Sequence, residues 1–275
     1  MPKKILIAVT NYGTENEIIE YAIKLEQQTA VKDLCLVVID NKYNEQKHLE
    51  DNLKKLDIDC IYFKANQNYG YLNGALYGVD KFVEKFNYVP QWIVVSNVDI
   101  EYTNDTFYEE FLTKTYPDDI WCIAPSVQSL NGNYCNPHYK ERISLSKINF
   151  LIKIFKHPFL IKIYYKLNYL KSSRNQNSIK QKSQYVYSSH GCFFILRNDF
   201  YKALNGEKYG VVLYSEESFI AEFIIENNKK SFYDSSIEIK HMENLVTGNL
   251  NYKDRGNYVS SSLEYIKKRF YKKHD

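Results

Sequence analysis

Short apolar runs alternate along the chain with longer amphipathic ones. Residues 4–9, 34–39, 60–63, 92–96 and 120–124 are dominated by Ile, Val, Leu, Phe and Cys. Runs this short and this apolar predict strands buried on both faces, as in a parallel sheet. Between them lie helical patterns. Thr14-Glu15-Asn16-Glu17 has the spacing of a capping box, and Ile18, Ile19, Ala22 and Leu25 then share one helical face. A polar helix-like stretch ends at Leu56, and helices are predicted over 72–86 and 104–114. Strands that alternate with helices imply an α/β fold with a mostly parallel, Rossmann-like sheet and right-handed crossovers. No internal repeat is present.

The second half is less regular. Segment 143–171 mixes Leu, Ile, Phe and Tyr with Lys147, Lys153, Lys156, Lys162, Lys166 and Lys171, and Pro158 should divide it into two helices. Two readings stay open: a helical insertion whose lysines snorkel from its solvent face, or a basic amphipathic pair that meets anionic lipid. Residues 171–184 are rich in Ser, Asn, Gln and Lys and read as a loop that could serve as a lid. Lys267-Lys268-Arg269-Phe270-Tyr271-Lys272-Lys273 reads as a solvated helix end or a second lipid-surface patch.

Composition excludes more than it identifies. The chain's 275 residues suffice for one large domain, or a domain with a subdomain. A net charge of +3 is too weakly basic to indicate nucleic acid. Five cysteines (Cys35, Cys60, Cys122, Cys135, Cys192) are odd in number, scattered and without a CxxC pair. They read as free thiols in a reducing compartment. The N-terminal apolar run is too short for a signal peptide, and no stretch has the length of a spanning helix. The expected location is therefore the cytoplasm.

Chemistry gathers at the strand ends. The strand over 92–96 finishes in Ser96-Asn97-Val98-Asp99. Residues i and i+2 of a strand point to the same side, so Asn97 and Asp99 can face one small volume beyond the sheet, where open α/β sheets place ligands. Two oxygen-bearing groups there suit a hard divalent cation. The other ends are Thr10-Asn11-Tyr12-Gly13, Asp40-Asn41, and Asn66-Gln67-Asn68-Tyr69-Gly70-Tyr71-Leu72-Asn73-Gly74. Each alone is ordinary turn chemistry; four in succession point to one ligand. No GxGxxG follows the first strand and no GxxxxGK[ST] occurs, which disfavours dinucleotide-binding and P-loop enzymes.

Ile7-Ala8-Val9-Thr10-Asn11-Tyr12, Val37-Val38-Ile39-Asp40-Asn41, Asn68-Tyr69-Gly70-Tyr71-Leu72-Asn73 and Ser96-Asn97-Val98-Asp99 resemble the nucleotide-sugar half of glycosyltransferase family 2, which has the GT-A fold. The flavour is that of rhamnosyltransferase-like enzymes of bacterial surface polysaccharide synthesis. The resemblance continues through His190-Gly191-Cys192-Phe193-Phe194-Ile195-Leu196-Arg197, Asn205-Gly206, Tyr214-Ser215-Glu216-Glu217 and His241-Met242-Glu243-Asn244, and so covers residues 4 to about 248. Two departures stand out. Asn97 occupies the first position of the family's DxD, and Glu217 replaces the Asp of its Glu-Asp pair.

The resemblance implies a division into a nucleotide-sugar half (1–126), an acceptor half (127–256) with the helical insertion, and a C-terminal basic helix (257–275). It implies that Thr10, Asn11, Tyr12, Asp40, Asn68, Gly70 and Asn73 line the donor pocket. Asp40 would accept a hydrogen from a pyrimidine imide or a ribose hydroxyl, and Gly70 would allow close backbone approach. Asp99, with Asn97 and His241, would hold Mg²⁺ or Mn²⁺ on the donor diphosphate. Glu217, beside Glu216, would be the general base of a single displacement with inversion. The donor would be a UDP- or dTDP-sugar and the acceptor a glycan or a lipid-linked glycan, met in the cytoplasm or at the inner face of the cell membrane. From the residues alone, the acidic pair could equally be first-turn charges behind a Ser215 cap. His190 is a candidate acceptor-side group; His48, His138, His157 and His274 receive no role. Two other classes stay open: a nucleotidyltransferase-like enzyme that makes an activated sugar, and a non-catalytic sugar- or lipid-binding scaffold. Against the former, Asn11-Tyr12-Gly13-Thr14 lacks the basic residue of a phosphate loop.

Overall fold

The computed structural model describes residues 2–41, 47–172, 179–242 and 251–271. Among the described residues, nine strands form one sheet: β1 (Ile5–Asn11), β2 (Leu34–Asp40), β3 (Cys60–Lys64), β4 (Trp92–Ser96), β5 (Ile100–Tyr102), β6 (Ile120–Ser129), β7 (Gln184–Val186), β8 (Phe193–Arg197) and β9 (Lys230–His241). The helices are α1 (Glu15–Glu26), α2 (Lys47–Leu53), α3 (Tyr71–Phe86), α4 (Phe107–Thr113), α5 (Leu145–Phe155), α6 (Pro158–Ser172), α7 (Asn198–Leu204), α8 (Glu216–Glu226) and α9 (Tyr252–Ile266). The sheet order is β3-β2-β1-β4-β8-β6-β9-β5, with β7 paired to β9.

The first four strands pair in parallel, as doubly apolar runs with helical crossovers require. Alternate residues of β1 feed opposite layers. Ile5, Ile7 and Val9 pack with Ile18, Tyr21, Ala22 and Leu25 of α1. Leu6 and Ala8 pack with Leu72, Ala75, Val79 and Phe82 of α3. Beyond β4 the sheet is mixed. β8 runs antiparallel between β4 and β6, β6 pairs in parallel with β9, and β5 and β7 lie antiparallel to β9.

Several local expectations change. Thr14 makes no side-chain cap; its N–H and hydroxyl both donate to Asn11 Oδ1, at 2.9 and 3.2 Å. The strand expected over 120–124 continues to Ser129, and the helix expected over 104–114 shortens to α4. Pro158 divides 143–171 as expected and is the first residue of α6, where its missing N–H goes unused in any case. Ile148, Leu151, Ile152 and Phe155 of α5 join the main core with Leu263 and Ile266 of α9, so the insertion is packed on the body. Arg142, just before α5, grips Glu222 of α8 in two bonds of 2.9 and 2.7 Å. Glu222 Oε1 also accepts the Tyr187 and Tyr271 hydroxyls, each at 2.8 Å. Residues 173–178 of the expected lid, Glu243 and Asn244 of the late histidine motif, and Lys272, Lys273 and His274 lie outside the described residues. Among the described residues, no helix is long and apolar enough to cross a membrane.

Candidate active site

The site forms where β4, β8 and β9 meet. Buried hydroxyls hold the end of β4. Tyr21 donates to Ser96 Oγ at 2.9 Å, Tyr21 and Tyr102 share a 2.7 Å bond, and Tyr102 and Tyr108 share another. Backbone bonds tie the neighbouring strand ends to it. The Asn97 N–H donates to the Cys192 carbonyl ahead of β8 (2.8 Å), and the Asp99 carbonyl accepts from the Met242 N–H beyond β9 (2.9 Å). Pairing of β5 with β9 sets Ile100 opposite His241, which delivers the imidazole to Asp99.

His241 Nε2 lies 3.3 Å from Asp99 Oδ1 and 3.3 Å from Asn97 Nδ2. Asn97 and Asp99 therefore do reach one side of the strand. Asp99 Oδ1 and His241 Nδ1 are buried and have no hydrogen-bond partner among the described residues. A buried carboxylate oxygen without a hydrogen bond is costly, and a divalent cation would satisfy it. The residues fit such an ion. A carboxylate oxygen beside an imidazole nitrogen suits Mn²⁺ better than Mg²⁺, which takes oxygen ligands and keeps its waters.

Two further imidazoles extend the cluster. The His190 ring centroid lies 5.6 Å from that of His241 and 5.7 Å from that of His138. His190 Nδ1 accepts from the Cys192 N–H at 3.3 Å, and the ligand atoms of His190, Cys192 and His241 lie within 4.8 Å of one another. Burial, then the neighbouring His138 and His241, push His190 down to about 3, so it is neutral at physiological pH. Asn136 pins this turn. Its Oδ1 accepts from the His190 N–H at 2.7 Å, and its Nδ2 donates to the Pro125 carbonyl at 2.8 Å.

The acidic pair opens α8. Tyr214 and Ser215 before it both have positive φ, 70° and 62°, a conformation that side chains adopt at some cost. Ser215 does not cap the helix; its Oγ pairs instead with Ser262 Oγ at 2.9 Å. Glu216 is buried, and desolvation followed by the adjacent Glu217 raises it to about 8. Glu217 is half-buried and faces Gly191, where a Cβ would come within 3.6 Å of its Oε2. Gly191 separates His190 from Cys192, so Glu217 and the Asp99–His241 pair approach the same turn. The Tyr71 hydroxyl is buried without a partner among the described residues. Its ionisation is opposed first by burial, then by Cys192, Glu216, Tyr21 and Asp99, so it stands among both sets of acids.

The residues expected to line a donor pocket are more engaged with each other than expected. Asp40 is wholly buried. Its Oδ1 accepts from Asn11 Nδ2 at 3.1 Å and its Oδ2 from the Tyr62 hydroxyl at 2.7 Å. Thr10 is half-buried, and Tyr12 is exposed. Asn68 Oδ1 accepts from the Gly70 N–H at 2.8 Å. Gly70 does allow a close approach, but of this chain's own backbone. At φ +77° its missing Cβ would fall 2.0 Å from the Val212 carbonyl oxygen. Asn73 clamps the same loop, donating to the Tyr209 carbonyl at 2.7 Å and accepting from its N–H at 2.9 Å. Gly70 and Asn73 thus fix the segment that leads into Glu216 and Glu217.

His138, Cys192 and Tyr71 received no role from the sequence. They come near His190 or the acids through contacts between segments distant in the chain, which leave no local spacing to read. Sequence motif and burial alone therefore could not have singled them out.

No protein-family model matches the sequence, and no curated protein does. Solved structures do match in fold. The mannosyltransferase PcManGT from Pyrobaculum calidifontis, solved in complex with GDP-Man and Mn²⁺, superposes with a TM-score of 0.55 at 9% identity, covering 90% of this chain and 59% of that one. GalNAc-T7, solved with UDP, GalNAc and Mn²⁺, superposes with a TM-score of 0.56 at 14% identity, covering 90% and 45%. The chain thus spans about half to three-fifths of the length of these structures. At such identities the likeness is one of fold: the mixed sheet and its flanking helices have the GT-A glycosyltransferase arrangement.

Proposed function

We propose that this chain is an inverting glycosyltransferase that moves a sugar from a nucleoside diphosphate to a hydroxyl acceptor. The observation that carries the reading is that Glu217 and the Asp99–His241 pair both lie against the His190–Cys192 turn. A donor diphosphate held at Asp99 would direct its sugar across that turn, toward the carboxylate. Glu217 is the half-exposed member of the acidic pair and faces the turn, so it is the one able to take the acceptor's proton as the oxygen attacks the anomeric carbon. Glu216, buried and raised, keeps its proton near neutrality and orients its neighbour. Asp99 and His241, with the Asn97 amide, would hold a divalent cation, Mn²⁺ in preference to Mg²⁺. The cation supplies charge stabilisation for the departing nucleoside diphosphate. The two fold relatives were solved with GDP-Man or UDP, each with Mn²⁺, which supports a nucleotide donor and leaves the base to this chain's own residues.

For the base we favour a pyrimidine. Tyr62 is the exchangeable partner of Asp40, and an imide N–H can replace its hydroxyl. A glycan or lipid-linked acceptor of the bacterial capsule or O-antigen type, used in the cytoplasm, completes the reading and rests on the family resemblance. A thermal-shift screen of nucleoside diphosphate sugars, with and without Mn²⁺, tests it. A ligand at about 100 times its Kd adds roughly 2.7 kcal/mol. Stabilisation by a diphosphate sugar that depends on Mn²⁺ supports the proposal. Stabilisation by nucleoside triphosphates alone would favour a nucleotidyltransferase, and no shift with any nucleotide would favour a binding scaffold.

A further inference from the structure

We propose that the exposed face of α6 docks the protein on an anionic lipid surface. Phe159, Ile163 and Leu167 are 72%, 41% and 60% exposed. They recur every four residues, and Lys162 and Lys166, also exposed, lie between them. At 3.6 residues per turn these five side chains occupy an arc of about 140° and a length of about 12 Å. Ile161, fully buried, points the opposite way into the core. The helix therefore presents apolar and basic groups together to solvent. An insertion whose lysines simply snorkel from a polar face would have turned most of its apolar residues inward, as α5 does with Ile148, Leu151, Ile152 and Phe155, leaving Phe150 exposed.

Charge selects the partner. Residues 142–198 contain no Asp or Glu, and eleven of them are Lys or Arg. Among the described residues, four of these cations pair with carboxylates from other segments, Arg142 with Glu222, Lys156 with Glu264, Lys180 with Glu238 and Arg197 with Asp118, and Lys162 lies 5.7 Å over the Tyr252 ring. Even so, no carboxylate from this stretch offsets them. Apolar side chains that enter the headgroup boundary, flanked by lysines that meet lipid phosphates, form the pattern of an interfacial helix. Three apolar side chains are too few to supply the roughly 800 Å² per partner of a stable protein interface. For a bilayer they suffice as an anchor when joined to basic residues. This inference stands apart from glycosyl transfer and needs no nucleotide.

Co-sedimentation of the full chain with phosphatidylcholine vesicles, with and without phosphatidylglycerol, tests it. The protein should pellet with the anionic vesicles only, and raising ionic strength from about 0.1 to 1 M, which shortens the Debye length from about 10 to 3 Å, should release most of it. Lys162→Gln with Lys166→Gln should weaken partitioning about 25-fold, at roughly fivefold per lysine. Phe159→Ser with Leu167→Ser should weaken it at least tenfold. Both pairs lie on the surface and should leave the thermal midpoint unchanged. Equal binding to neutral vesicles, no binding to either, or binding that neither pair alters would overturn the proposal. So would a dimer in solution that Phe159→Ser dissociates, which would make this face a contact between copies.

Discussion

His241 reaches Asp99 because β5 and β9 pair with Ile100 opposite His241, and the two side chains meet at 3.3 Å across atoms that find few other partners. In the proposed reading this pair seats a divalent ion. Asp99→Asn and His241→Ala should each weaken Mn²⁺-dependent binding of a nucleoside diphosphate at least tenfold while leaving the far-ultraviolet circular dichroism unchanged. Isothermal calorimetry in Mn²⁺, in Mg²⁺ and in chelator checks this, with Mn²⁺ supporting the tightest binding. Affinity that is indifferent to both substitutions and to chelator would remove the metal role.

Glu216 gives the molecule a pH signature. Its carboxyl is raised from 4.5 to about 8 by burial, then by Glu217. The folded state thus holds a proton that the unfolded chain releases, so this group's contribution to stability falls as pH rises from about 4.5 to about 8 and is level beyond. Glu216→Gln should abolish that slope, making the variant's gain over the parent grow with pH to the order of a few kcal/mol. Denaturant titrations of both proteins across this range, without metal or nucleotide, measure the difference. A difference that stays flat with pH would mean that Glu216 is ionised in the fold.

Gly70 and Asn73 should behave as positioning residues for the acidic pair. Gly70→Ala forces a Cβ onto the Val212 carbonyl at a positive φ, and should cost about 1–3 kcal/mol of stability. Asn73→Ala frees the Tyr209 backbone and should lower kcat more than it raises KM for the donor. A KM effect alone would return Asn73 to direct donor contact.

The parallel half of the fold was legible because Ile5, Ile7 and Val9 on one side and Leu6 and Ala8 on the other are all apolar, which only a doubly covered strand tolerates. The antiparallel insertion of β8 between β4 and β6 was not, since its partners lie far away in the chain and leave no periodicity behind. The candidate metal pair was read from oxygen ligands at i and i+2, together with a late histidine. His138 was passed over because it lies beside His190 through a contact across about 50 residues of chain, where Asn136 bonds the His190 N–H. Ser215 looked like a cap because of its place before an apolar-faced helix, yet its hydroxyl is turned to Ser262. Gly70 and Asn73 read as ligand contacts from their loop after a strand, and the structure adds that they also meet the Val212 and Tyr209 backbones.

The base of the donor is a separate question from its diphosphate. With Tyr62 as the exchangeable partner of Asp40, uridine or thymidine diphosphate should bind at least several-fold tighter than adenosine or guanosine diphosphate. Tyr62→Phe, which removes the hydroxyl's bond to Asp40 Oδ2, should widen that gap. Calorimetry that ranks a purine first would reject the assignment.

The proposed role of Glu217 is to deprotonate the acceptor at the turn that it shares with Asp99 and His241. Its most direct test is the rate at which nucleoside diphosphate is released from a nucleotide sugar in Mn²⁺, with water or a glycan as acceptor, set beside donor affinity in the same protein. Glu217→Gln keeps the shape but cannot accept a proton at neutral pH. It should lower turnover by about 10²-fold or more with the donor Kd unchanged, and Glu216→Gln should be the milder change. Near-normal release by Glu217→Gln, or a larger loss in Glu216→Gln, would contradict the account and move the base elsewhere.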